Sequence, residues 1–267
     1  MRASQMSAAP KFTAEKLLSI RPWAPNLFSF TMTRDPAFRF VAGQFARIGV
    51  KRADPDNPKN PSGEKIVWRA YSVASASDAP FLEFFSVVIP SGEFSSELAC
   101  LRVGETIYLE RLNYGFLTLD RFEPARDLWM LCTGTGLAPF LAILGETSTW
   151  THYRNLVVVH SVRYPNELAY AEFIRTKRGR AGAAQLHYVP VVTRRGLPGT
   201  LGERVPALIE NGALETRLGL RIDATAARVL ICGNPDMITA TRRLLGAREM
   251  ATSKRGKPGQ LAVENYW

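Results

Sequence analysis

The sequence predicts a two-domain protein, an N-terminal antiparallel β-barrel of α+β character followed by an α/β domain on a doubly wound parallel sheet. Three observations predict it. At 267 residues the chain can bury two cores. Up to about residue 120 it reads as short apolar or alternating segments divided by turn signals, the pattern of a barrel or sandwich. Beyond that point apolar runs alternate with helical stretches, the pattern of parallel strands joined by crossover helices.

The barrel segments are Leu27 to Met32, Phe45 to Val50, Phe81 to Ile89, Thr106 to Leu109 and Phe116 to Leu119, with turns at Ser91-Gly92 and Val103-Gly104. Lys51 to Lys65 holds three prolines, two asparagines and two aspartates, which predicts an exposed loop between strands. In the second half the strands are Leu128 to Cys132, Leu156 to His160, Leu186 to Val192 and Val229 to Cys232. Helices are expected after the first of these, over Glu167 to Arg175, Val205 to Glu210 and Pro235 to Leu245. The division is then a disordered lead over 1–15, a barrel over 16–120, a linker over 121–127 and the α/β domain over 128–267.

Hydrophobic residues make up 46% and charged residues 22%, as in ordinary globular proteins. No apolar run approaches the roughly 20 residues of a membrane helix, so membrane insertion is not expected. Met1 to Lys11 lacks the apolar core of a signal peptide, which points to the cytoplasm. The three cysteines, Cys100, Cys132 and Cys232, are far apart and form no CxxC pair. That argues against a metal site, an iron–sulfur cluster and a disulfide framework, and leaves redox chemistry to a bound organic cofactor. The net charge is +10, with basic clusters at Lys177-Arg178 with Arg180, Arg194-Arg195, Arg242-Arg243 and Lys254-Arg255 with Lys257. Such a surface attracts anions: nucleic acid, phosphorylated cofactors or an acidic protein.

Parallel sheets bind ligands beyond the carboxyl ends of their strands. Thr133-Gly134-Thr135-Gly136-Leu137-Ala138-Pro139 follows a strand and opens a helix, where glycines admit a phosphate and the helix terminus favours it. It departs from GxGxxG, because Pro139 stands at the third glycine. Cys232-Gly233-Asn234-Pro235 closes the fourth strand. Arg163 follows the second, Arg194 the third, and Arg204 lies beyond. Arginines grip phosphates bidentately, and no acidic residue ends the second strand to hold an NAD ribose, so the arrangement suits the 2′-phosphate of NADP. Arg69-Ala70-Tyr71-Ser72 places a cation, a ring and a hydroxyl on a strand, a pattern equally met in ordinary strands. Gly92-Glu93-Phe94-Ser95-Ser96 reads as a turn into a helix with Ser95 or Ser96 as cap.

In this order these segments, with the ending Ala262-Val263-Glu264-Asn265-Tyr266-Trp267, resemble the ferredoxin/flavodoxin–NADP⁺ reductase family, bacterial type, from about Lys16 to Trp267. The resemblance implies an FAD-dependent oxidoreductase. It would pass hydride between NADP(H) and non-covalent FAD, and single electrons between FAD and ferredoxin or flavodoxin. Arg69 would meet the FAD pyrophosphate, with Ala70 beside it, and Tyr71 would stack on the flavin. Ser72 would bond near flavin N5. Val87, Val88, Glu93, Phe94 and Ser95 would line the rest of the FAD site, and Thr135 would approach from the second domain. Tyr266 would cover the flavin and Trp267 would touch the adenine. Thr133, Gly134, Gly136, Arg163, Arg194, Arg204, Gly233, Asn234, Pro235 and Asp236 would hold NADP. Cys232 would sit beside nicotinamide C4, with Glu264 near it in a proton relay. The catalytic set is thus Ser72, Cys232, Glu264 and Tyr266, in a monomer whose basic surface receives an acidic electron carrier.

Besides a binding protein that keeps the fold without catalysis, which the presence of Ser72, Cys232 and Glu264 speaks against, two other readings compete. One is an NADH-preferring reductase of the same fold that serves an oxygenase or a cytochrome. The other is a basic nucleic-acid-binding protein, which would interleave basic residues with exposed aromatics; here the aromatics sit mostly in strand-like runs.

Overall fold

The computed structural model describes residues 10–54, 63–177 and 184–265. Six strands form the first sheet: β1 (Phe12–Ala24), β2 (Leu27–Thr33), β3 (Phe45–Ala53), β4 (Glu64–Ser72), β5 (Phe81–Val87) and β6 (Thr106–Tyr114). They run in the order β4-β3-β6-β1-β2-β5, with antiparallel neighbours throughout. An antiparallel bridge between Val73 and Phe84 joins the two edges, so the sheet rolls into a barrel. Alternate residues point inward, as the two-residue period of a strand demands. Phe28, Phe30 and Met32 of β2 meet Ile48 and Val50 of β3 and Ile107 and Leu109 of β6. Phe94 and Leu98 of α1 (Glu93–Cys100) join that core.

Several sequence expectations change here. The barrel begins at Phe12, inside the expected 1–15 lead, because Phe12 to Lys16 pair with β6. β1 escapes pattern reading because it buries Glu15 and exposes Leu18 and Ile20. The predicted loop from Lys51 to Lys65 is strand at both ends, where Lys51↔Ile66, Arg52↔Lys65 and Ala53↔Glu64 extend the ladder; 55–62 lie outside the described residues. Phe116 to Leu119 is not a strand. Gly115, at φ 106°, turns the chain out of the sheet, and a single 3-10 turn follows over Leu119–Arg121. The expected linker narrows to 122–126, held by Arg228, whose Nε donates to the Glu123 carbonyl at 2.9 Å and Nη2 to the Pro124 carbonyl at 3.1 Å.

The second sheet is parallel. Its strands are β7 (Asp127–Thr133), β8 (Asn155–Val162), β9 (Gln185–Val192), β10 (Ala227–Gly233) and β11 (Leu261–Asn265), ordered β11-β10-β7-β8-β9. Among the described residues six helices pack on it: α2 (Ala138–Gly145), α3 (Thr147–His152), α4 (Ala171–Thr176), α5 (Val205–Glu210), α6 (Ala213–Leu218) and α7 (Pro235–Gly246). β7 shows how the two faces are filled. Leu128, Met130 and Cys132 pack with Phe140, Leu141 and Trp150 on one side, while Trp129 and Leu131 pack with Leu208, Ile238 and Leu245 on the other. The order reverses between β7 and β10, and the crevice at such a reversal is where open α/β sheets bind ligands. The helix expected over Glu167 to Arg175 is broken. A 3-10 turn covers Pro165–Glu167, and α4 starts only after Tyr170, which sits at φ 59°.

The two halves share an apolar cluster. Leu27, Ala42, Ala74, Phe85 and Leu117 from the barrel side touch Leu137, Phe140 and Ile143 from the other. Polar clips flank it. Glu146 accepts from the Ser77 N–H at 2.8 Å and its hydroxyl at 3.0 Å, and the Tyr170 hydroxyl donates to Glu83 Oε1 at 2.6 Å. That last bond explains the left-handed Tyr170, which the interface holds in place.

Candidate active site

Ser72, the last residue of β4, is buried, and its hydroxyl donates to Glu264 Oε1 at 2.9 Å. The bond spans 192 positions of sequence and joins the barrel to the parallel sheet. β11 lies beside β10 in a register that pairs Cys232 with Glu264. The sequence-predicted trio Ser72, Cys232 and Glu264 therefore meets at the domain junction. Burial pushes the Glu264 carboxyl up to about 7, against the lowering effect of the Ser72 hydrogen bond. A carboxyl that titrates near neutrality can give or take a proton. Gly115 makes room for it, since a Cβ there would come 3.0 Å from Glu264 Oε2. Tyr266 and Trp267 lie outside the described residues, as do Arg178 and Arg180 of one basic cluster.

The barrel wall beside Ser72 has the features expected for a flavin nucleotide. Arg69 and Ala70 are exposed on β4. Arg69 Nη1 donates to the Trp68 carbonyl at 2.8 Å, which anchors the guanidinium while it faces solvent. Tyr71 is half-buried. Its ring lies 5.5 Å from Phe94, and its hydroxyl meets Ser86 Oγ at 2.9 Å. Burial raises the Tyr71 phenol above its ordinary value, so it stays neutral. Phe94 is thus a core side chain that sets the Tyr71 ring, and Val87 and Val88 are half-buried at the end of β5.

The cap of α1 is a correction. Gly92, not Ser95 or Ser96, is the N-cap, and no side chain caps the helix. Ser95 Oγ turns back and accepts from the Ile89 N–H at 3.0 Å. The first N–H groups of α1, those of Glu93 and Phe94, therefore have neither an intrahelical partner nor a side-chain cap. Glu93 itself is exposed and ion-paired with Arg52 at 2.8 Å.

At the β7/β10 reversal two glycines permit the loops to touch. A Cβ on Gly136 would lie 2.5 Å from the Cys232 carbonyl, and one on Gly233 would lie 2.2 Å from Thr133 Oγ1. Thr133 Oγ1 accepts from the Asn234 N–H at 2.8 Å. Asn234 Oδ1 in turn caps α7, accepting from Asp236 N at 2.9 Å and Met237 N at 3.2 Å, with Pro235 at the first helical turn. Thr133, Asn234 and Asp236 thus shape the crevice through contacts to one another. Thr135 is buried, whereas an added Cβ on Gly134 would meet nothing within 4 Å.

Arg163, Arg194 and Arg204 are all exposed. The Arg194 N–H donates to the Arg163 carbonyl at 2.8 Å, which ties the ends of β8 and β9 together. Arg194 Nη1 lies 3.4 Å from the Tyr164 hydroxyl, and this bond draws the Tyr164 phenol below its ordinary value. Arg163 pairs with Glu167 at 3.7 Å. Arg204 is the N-cap residue of α5, just past Leu201, which bridges Val191 of β9. Sequence reasoning missed His160, which is buried beneath the glycine loop with Nε2 3.2 Å from the Gly134 carbonyl. A single histidine inside a strand gives no pattern that distinguishes it from a core residue.

Among the described residues no group of acidic residues, histidines and cysteines could hold a metal ion. No described helix is long and apolar enough to cross a membrane. The features present fit two dinucleotides. The barrel offers an exposed arginine, a fixed aromatic ring and an uncapped helix start, and the crevice offers a glycine cradle and exposed arginines.

Comparison with known proteins agrees with this geometry. The oxidoreductase NAD-binding domain family matches residues 130–243. Ferredoxin–NADP reductase A of Sorangium cellulosum is 37% identical over 96% of this chain and 90% of its own length. Flavodoxin/ferredoxin–NADP reductase of Escherichia coli is 36% identical over 94% of this chain and 97% of its own. A crystal structure of a ferredoxin–NADP⁺ reductase from Neisseria gonorrhoeae, with bound FAD and NADP, superimposes with a TM-score of 0.87 at 36% identity, covering 97% of this chain and 100% of that one. The chain belongs to the ferredoxin/flavodoxin–NADP reductase family.

Proposed function

We propose that this chain is a ferredoxin/flavodoxin–NADP reductase that holds FAD against the barrel and NADP(H) in the β7/β10 crevice. The observation that carries it is the meeting of Ser72, Cys232 and Glu264 where the two domains join. FAD, when bound, supplies the chemistry that links a two-electron hydride donor to one-electron carriers. The chain's own work is geometric, since reacting atoms must be brought within about 3.5 Å in a fixed orientation. Arg69 and the start of α1 bind the FAD phosphates. Tyr71 backs the flavin ring, Ser72 orients its reacting edge, and Cys232 packs beside the nicotinamide. Thr133, Gly134 and Gly136 with Gly233, Asn234, Pro235 and Asp236 form the cradle for NADP(H). Arg163, Arg194 and Arg204 hold the 2′-phosphate, which favours NADPH over the NADH-dependent alternative. The FAD half spans roughly the barrel and the NADP half the parallel sheet. The partner is an acidic carrier drawn by the +10 charge, and the protein acts as a cytoplasmic monomer.

The test is the visible spectrum. The purified protein, or the protein reconstituted with FAD, is expected to show oxidised-flavin bands that NADPH bleaches without air. A colourless protein that takes up no FAD would overturn the proposal.

Glu264 adds a pH test. Its folded pKa, about 7, lies above the ordinary 4.5. The protonated form is therefore favoured on folding, and this contribution is lost as pH rises through about 7. Glu264→Gln is expected to be the more stable protein at about pH 8 and no more stable below pH 5. Equal denaturant midpoints at both pH values would refute the buried-acid assignment.

A further inference from the structure

His160 has no part in the chemistry above, yet it touches the loop that serves it. It is buried at the end of β8, with Nε2 3.2 Å from the Gly134 carbonyl and Nδ1 3.4 Å from the Tyr188 hydroxyl. A carbonyl only accepts, so Nε2 carries the hydrogen. Burial depresses the imidazole to about 4. The ring is therefore neutral, and Nδ1 accepts from Tyr188. Arg175 of α4 lies over the Tyr188 ring at 5.5 Å.

Gly134 sits at φ 52°, and nothing stands within 4 Å of where its Cβ would be. The bond from His160 is a direct restraint on the orientation of its peptide. No peptide bond here is cis. In a trans peptide the N–H points opposite the C=O. With the Gly134 carbonyl drawn down to His160, the Thr135 N–H points away from the sheet. It is among the first N–H groups of the 3-10 turn Gly134–Leu137, which have no acceptor within the turn. We propose that His160 is a positioning residue for the nicotinamide dinucleotide. By anchoring the Gly134 carbonyl it keeps the Gly134–Thr135 peptide in the orientation that presents an N–H to the bound phosphates. This rests on the proposed placement of NADP(H) at the glycine loop. A histidine that only fills the core would affect stability and leave nucleotide affinity alone.

The test uses the FAD-loaded protein and a KM-against-kcat split. His160→Leu removes both bonds and is expected to raise the NADPH KM about tenfold, with kcat within about twofold and FAD content unchanged. His160→Gln keeps a donor at similar reach and is expected to recover most of that loss. Tyr188→Phe, which deletes one hydroxyl, is expected to raise KM about two- to threefold and serves if the leucine variant does not fold. An unchanged KM in His160→Leu or Tyr188→Phe overturns the proposal, as does an equal defect in the leucine and glutamine variants. Failure of the nucleotide assignment itself would look different, because NADPH would then not reduce the unaltered protein.

Discussion

Gly233→Ala is expected to lower stability by about 3 kcal/mol or more and to abolish reduction by NADPH. The residue sits at φ 130°, a backbone region in effect reserved for glycine. An added Cβ would lie 2.2 Å from Thr133 Oγ1, 2.9 Å from the Thr133 carbonyl oxygen and 3.0 Å from its nitrogen. Two of those atoms are backbone inside β7 and cannot swing aside. The third accepts the Asn234 N–H. Relief would come only by parting β10 from β7 at the crevice floor, which moves Cys232 away from Gly136 and the glycine loop. Gly134→Ala is the control, since it suffers the left-handed backbone without a clash. Its cost is expected to stay near 1 kcal/mol. Denaturant midpoints read the comparison, and equal losses for the two substitutions would mean that the close approach of the two loops contributes nothing.

Arg194→Ala is expected to raise the NADPH KM by roughly 10- to 100-fold and to leave the NADH KM within about twofold. Among the described residues no carboxylate lies in ion-pair distance of Arg194, whereas Arg163 already faces Glu167. The unneutralised guanidinium has more to gain from a phosphate dianion, so Arg163→Ala is expected to cost less. Steady-state kinetics with the two nucleotides decide it. An unchanged NADPH/NADH ratio would remove Arg194 from the 2′-phosphate site.

The parallel domain was the more legible half. Strands buried on both faces read as unbroken apolar runs, so Leu128 to Cys132 and Val229 to Cys232 could be located from composition alone. β1 could not, because its buried Glu15 and exposed Leu18 and Ile20 invert the usual pattern. Nor could the break at Tyr170, which a partner across the interface imposes. The site was legible in its loops and not in its couplings. Ser72 and Glu264 could each be named from motifs, but their hydrogen bond depends on β11 lying beside β10, which no local pattern encodes. The cap of α1 was misread because Ser95 had two available partners, and the preceding turn at Ile89 wins over the helix.

The cluster that joins Leu27, Ala74 and Phe85 to Leu137 and Phe140 bears on how the protein behaves as a material object. Topology divides this chain near residue 120, but thermodynamics does not. Severed there, each half would expose a wet apolar face and would be prone to aggregate. Melting should accordingly proceed as a single cooperative event. A chimera that took its barrel from one reductase and its parallel sheet from another would have to match this seam before it could match either cofactor.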